Sequence, residues 1–136
     1  MPDSSLDRVD NIMRGLAFGA MGLLMLIVVA FDVNDRLAFL QVAQIAEGRV
    51  VHLNAGGSHP EVAFTTAAGE QISYPQGGMI FGYEPGQVVR VLYRAERPKL
   101  DPSLDTFGAL WGMTIMVALI GLTFAGICLR ALFGRR

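Results

Sequence analysis

The sequence predicts a membrane α plus β protein, with two transmembrane helices flanking a small antiparallel β-barrel or sandwich. Three observations predict this class. The 136-residue chain is 52% hydrophobic and only 17% charged, a skew typical of chains that span membranes. Its apolar residues gather in two uncharged blocks near the ends. Between the blocks, short stretches alternate apolar and polar residues and are broken by Gly, Pro and Asn, the pattern of strands and turns.

Residues 1–14 read as a cytoplasmic N-terminal tail in which Asp3, Asp7 and Asp10 outnumber Arg8 and Arg14. The first transmembrane helix is placed at 15–31, "GLAFGAMGLLMLIVVAF", whose 17 uncharged residues sit at the lower limit for a hydrocarbon core of about 30 Å at about 1.5 Å rise per residue. Ile12 and Met13 can extend it. A secretory signal peptide cut after Ala30 is the rival reading, since Val28 and Ala30 put small residues before that bond. The acidic tail argues against it, because a signal peptide starts with positive charge, so an uncleaved anchor is expected. "NDRLAFLQVAQIAE" carries a cap at Asn34 or Asp35, and Leu37, Phe39 and Leu40 can prolong the helix outward.

Residues 32–105 form the expected extracytoplasmic, periplasmic β-domain. "EGRVVHL" is its first strand and ends at the turn cluster "NAGGSHP". "EVAFTT" and "QISY" make a hairpin around "AAGE", with Val62 and Phe64 on one face and Ile72 and Tyr74 on the matching face. Pro85 and Gly86 turn the chain into a last strand in which Val89, Val91 and Tyr93 share a face until Pro98 stops it. Four such strands can bury one small core. Asp101 as cap and Pro102 at the first helical position predict that the second helix starts there. The second transmembrane helix occupies 106–129, 24 uncharged residues with Trp111 near one end, where amphipathic rings favour the membrane interface. Residues 130–136 are a basic cytoplasmic tail holding Arg130, Arg135 and Arg136. By the positive-inside rule, both termini of this multi-pass chain are expected in the cytoplasm and residues 32–105 outside.

The run "EGRVV", the hairpin "EVAFTTAAGEQISY" and "YEPGQVVRVLYRAERPKLDPSLDTFGALW" together resemble the bacterial membrane proteins catalogued as domain of unknown function 3592. Gly48, Val50, Val51, Tyr83, Gly86, Val89, Val91, Tyr93 and Pro98 carry the likeness, which spans residues 35–129. It implies a membrane helix, a small extracytoplasmic β-domain and a returning helix, and with them a multi-pass protein of the bacterial inner (cytoplasmic) membrane whose β-domain is periplasmic. It implies no catalytic residue.

A net charge of −1 offers no long-range pull on nucleic acid. Cys128 is single, which excludes an intrachain disulfide, and a cysteine inside a span is read as a small apolar side chain. His52 and His59 could approach across the first bend, but a zinc site needs three or four ligands, so they are read as surface histidines. Ser58 beside His59 is no triad, and the glycine pairs at 56–57 and 77–78 precede no phosphate-loop Lys and Ser. No enzyme, metal or cofactor is therefore expected. Met79, Ile80 and Phe81 cannot all point into a thin core, which marks them as a candidate partner or lipid contact, the alternative being a short, irregular strand that closes the barrel. Gly15, Gly19, Gly121 and Ala125 are the expected helix-packing residues, with Gly19 opposite Gly121 and Gly15 near Ala125. Gly108 and Gly112 remain for a second copy or a partner helix, so a homo-oligomer is one option. The expected role is to bind or organise another envelope protein as an accessory subunit, with membrane lipid as the other partner. Two alternatives stand beside it: an immunity protein neutralising a periplasmic or membrane-acting toxin, and a membrane hydrolase or transport component.

Overall fold

The computed structural model describes residues 4–57 and 59–134, so Asp3, Ser58, Arg135 and Arg136 lie outside the described residues. In chain order, the elements are α1 (Ser4–Val42), β1 (Gln44–Asn54), β2 (His59–Thr65), β3 (Gln71–Pro75), β4 (Val88–Tyr93), β5 (Ser103–Leu104) and α2 (Phe107–Phe133), with a short 3-10 turn at Ala55–Gly57. They form two compact units. One comprises the residues up to Val33 and from Thr114 onward; the other is Asn34–Met113.

The first unit is a pair of antiparallel helices. Along α1 and α2 nearly every large apolar side chain is exposed, among them Leu23, Leu24, Val28, Leu119 and Leu122, so the helices touch mainly where side chains are small. A methyl group added at Gly22 would lie 2.8 Å from the Gly121 carbonyl oxygen and 3.0 Å from the Ala125 amide nitrogen. One at Gly19 would meet Cys128 Sγ at 2.6 Å, and one at Gly15 would meet Ala131 Cβ at 2.5 Å. These approaches correct the expected register: Gly19 faces Cys128 instead of Gly121, and Gly15 faces Ala131 instead of Ala125. Gly22, one turn beyond Gly19, is the residue that seats against Gly121, and this closest backbone approach sets the alignment. Phe18 packs edge-on against Phe124 with ring centroids 5.2 Å apart. Near the other end of the pair, the Thr114 hydroxyl donates a hydrogen bond to the Asp32 carboxylate.

The second unit is built on one antiparallel sheet of order β3-β2-β1-β4-β5. It is one half-barrel sheet with its main core on one face, and no second sheet packs on it among the described residues, so the sandwich alternative is not realised. Alternation works as the pattern predicts: Val62 and Phe64 on β2, Ile72 and Tyr74 on β3, and Val89, Val91 and Tyr93 on β4 join one buried cluster. The central strand β1 presents only small residues and one valine inward, Ala46, Gly48 and Val50. A methyl at Gly48 would lie 2.7 Å from Val91 Cγ2 and 3.1 Å from the Ala63 carbonyl, so the curl of the sheet depends on its absence. Val50 pairs with Val62 and His52 with Glu61. Val51 is thus the extra residue of a β-bulge and turns outward.

Two turns follow their residues closely. Pro85 and Gly86 occupy the middle of a turn closed by Gln87 N–H to the Glu84 carbonyl at 3.1 Å, and Gly86 supplies the required positive φ of 88°. The β2–β3 hairpin turns through Thr66–Gly69, with Gly69 N–H donating to the Thr66 carbonyl at 2.9 Å.

The start of α2 differs from expectation. Asp101 has φ 50°, and Ser103–Leu104 forms β5 against Leu92 and Val91. The helix begins at Phe107, after Thr106. The local cap signal of Asp101 and Pro102 loses to burial of Leu104, which is wholly buried in the core. On the opposite face of β4, Leu92 packs with Phe39 of α1 and Leu110 of α2, flanked by Ala43 and Trp111.

Candidate partner-contact surface

The segment between β3 and β4 is held at both ends and free in the middle. Gln76 begins it. Its Oε1 accepts from the Tyr74 hydroxyl at 3.0 Å and from the Leu104 amide at 2.8 Å, while its Nε2 donates to the Gly77 carbonyl at 2.8 Å. Because Tyr74 is on one edge strand and Leu104 on the other, this buried amide bridges the two edges of the half-barrel. Burial also drives the Tyr74 hydroxyl pKa above its ordinary value, with the Tyr83 charge adding to the shift. Sequence reasoning missed Gln76; a glutamine between Pro75 and two glycines reads as loop.

Met79, Ile80 and Phe81 then part company. Ile80 enters the core at 5% exposure. Met79 N–H donates to the Gly108 carbonyl at 3.2 Å, and a methyl on Gly112 would sit 2.8 Å from Met79 Cβ. The Gly108 and Gly112 face, expected to await a second helix, is therefore filled by Met79 of the same chain. Phe81 is 75% exposed and is followed by Gly82 at φ 81°. It is the most exposed of the trio, with Met79 at 43% exposure beside it.

The outward face of the sheet is polar over β2, β3 and the middle of β1, while Ile45, Val51 and Val88 are exposed apolar residues on it. Glu47, Arg49, Ala63, Thr65, Gln71 and Ser73 surround a shallow open depression, where Arg49 Nη1 donates to the Gly86 carbonyl at 2.9 Å. Beside it, Arg90 pairs with Asp105 at 3.0 Å. At one end, Ser73 Oγ donates to Glu61 Oε1 at 2.8 Å, and Asn54 links Glu61 to His52, whose Nε2 lies 2.7 Å from Asn54 Oδ1. His59 turns instead to the Gln76 carbonyl, 3.3 Å from its Nδ1. The two histidines do not share a site, and no three metal-ligating side chains cluster among the described residues. The arrangement offers surface for docking and, among the described residues, presents no paired acid, base or nucleophile in a cleft.

No family model matches the chain, and no solved structure matches it. Among curated proteins, it is similar to the immune protein Tsi4 of Pseudomonas aeruginosa, 45% identical over 136 residues that cover 100% of this chain and 94% of that protein. Identity of that extent over the whole of this chain takes in its helices, half-barrel and loop alike, and on it the chain belongs to the family of the immune protein Tsi4.

Proposed function

We propose that the protein is an immunity protein: a membrane-anchored, non-enzymatic binder that neutralises a protein toxin arriving at the bacterial envelope. The observation that carries this reading is the 45% identity along the whole chain to an immune protein. It favours neutralisation over the role of accessory organiser of an envelope assembly, and over hydrolysis or transport.

The anchor is read as two spans of the inner membrane, with both termini cytoplasmic and the β-domain periplasmic. Support comes from two helices long and apolar enough to cross a membrane and hardly buried by the protein itself. α1 also runs without a break through Ala30 to Val42, so the bond after Ala30 is helix interior, which disfavours the signal-peptide alternative. The pattern of Gly48, Val50, Val51, Tyr83, Gly86 and Pro98 is proposed to reflect the architecture of domain of unknown function 3592, which implies the same placement of the β-domain. Within that domain, Phe81 and the polar outer face of the sheet are the surfaces offered to the toxin.

The test is a mixed culture. A strain lacking this chain is grown against parental cells, with and without a plasmid copy of the gene. Killing of the deletion strain and rescue by the plasmid are expected; equal survival of deletion and parent would sink the reading. A Phe81→Ser plasmid is expected to keep the protein folded and to reduce rescue.

A further inference from the structure

We infer that Arg36 and Arg94 form a binding site for the phosphate of a phospholipid headgroup at the outer boundary of the membrane. This rests on the two-span reading above. Both guanidinium groups lie against the ring of Phe39, the Arg94 carbon at 5.3 Å and the Arg36 carbon at 6.0 Å from its centroid. The ring itself is 3% exposed and fixed between Leu92 and Leu110, so two separate elements, α1 and the end of β4, are brought to one rigid support.

Neither cation is neutralised. Among the described residues, the ion pairs join Arg14 to Asp10, Arg90 to Asp105 and Lys99 to Glu70, and none involves Arg36 or Arg94. Asp32, the acid one turn before Arg36, is engaged by the Thr114 hydroxyl. Arg36 Nε is moreover buried with no hydrogen-bond partner. A buried donor on a charged group is costly to leave unmade, and its natural complement is an anionic oxygen, which a guanidinium recognises through its planar fork.

The position along the chain names the source of that oxygen. The uncharged run of α1 ends at Phe31, and Arg36 stands just over one turn past it. Trp111, packed against the same cluster, is on the first turns of α2 where its apolar run begins. Cation pair, aromatic support and tryptophan thus coincide with the level at which phosphates line a bilayer. The phosphate diester of a membrane lipid meets both requirements, an anion for the guanidiniums and acyl chains for the exposed helix surface.

The full chain, purified in a maltoside detergent, is titrated with dioleoylphosphatidylglycerol and bound lipid is read by native mass spectrometry. Wild type is expected to retain one phospholipid, and Arg36→Gln with Arg94→Gln to weaken retention about tenfold or more. Dioleoylglycerol, which lacks the phosphate, should be held weakly by both. Arg94→Gln alone leaves Arg36 and its buried Nε in place and guards against a folding loss; retention must fall there too. Wild-type retention in either variant overturns the proposal, as does inorganic phosphate that displaces the lipid and binds equally well alone. Carbonate washing of membranes separates the two readings: extraction of the chain refutes the spans, whereas a chain that stays with the membrane but shows unchanged lipid retention refutes only this site.

Discussion

Replacing Gln76 by Leu tests whether a single buried amide holds the half-barrel closed. The side chain is 5% exposed and its Oε1 accepts from both the Tyr74 hydroxyl and the Leu104 amide. Leucine conserves bulk and removes the acceptor, leaving two donors without partners in the interior. Each orphaned donor costs about 1–3 kcal/mol, so the two together cost roughly 2–6 kcal/mol, and a loss of about 3 kcal/mol lies in the lower part of that range. The unit that must bear it spans Asn34–Met113, and a unit of that length has about 4–12 kcal/mol of stability in all. Such a loss corresponds to a drop of roughly 12–24 °C in melting temperature. Denaturant titration of the detergent-solubilised chain, followed by emission of its single tryptophan, reads the change, since Trp111 packs on the Phe39–Leu92–Leu110 cluster of the same unit. Hydrogen exchange at the Leu104 amide gives a second readout, with protection expected to collapse. The exposed neighbour Gln71→Leu serves as control and should stay within about 0.5 kcal/mol of wild type. A Gln76→Leu protein with wild-type midpoint and a protected Leu104 amide would show that the strand edges are joined by something else.

Three further outcomes follow from the same geometry. Tyr74 has its pKa raised by burial from the ordinary value of 10.0, so its contribution to stability is fully present below that pH and is lost as pH rises through it, because only the unfolded chain then ionises; Tyr74→Phe should flatten this alkaline limb, and an unchanged limb would mean other groups cause it. Gly19→Cys should crosslink to the native Cys128 within one chain under mild oxidation, since the added Cβ falls 3.1 Å from Cys128 Cβ and a disulfide wants about 3.8 Å; cysteines at 19 and 121 in a Cys128→Ala background should not, and the reverse result would restore the Gly19–Gly121 register. Val91→Asp places an unpaired charge at a wholly buried site, which costs several kcal/mol and should unfold the sheet unit; unchanged thermal stability would mean that Val91 faces water.

Much of the fold was legible because it rests on short-range pattern. The uncharged blocks at 15–31 and 106–129 are helical by length and composition, and period-two alternation put Val62, Phe64, Ile72, Tyr74, Val89 and Val91 on the face that the structure buries. Pro85 and Gly86 specify their turn through dihedral preference alone. What the sequence could not determine depends on residues far apart in the chain. The helix register turns on Gly22 meeting Gly121, a choice among several glycines that spacing within one helix cannot make. β5 exists because Leu104 completes a core assembled from four earlier strands, overriding a local helix cap. Gln76 is read as loop until Leu104 supplies the donor it accepts. Met79 fills a groove between Gly108 and Gly112 that looks vacant on α2 alone, and Arg36 meets Arg94 only because Phe39 and β4 share a cluster. Local periodicity sets which face of an element is buried; which distant residue meets that face is settled by packing, where shape and hydrogen-bond pairing between elements decide the lowest free energy.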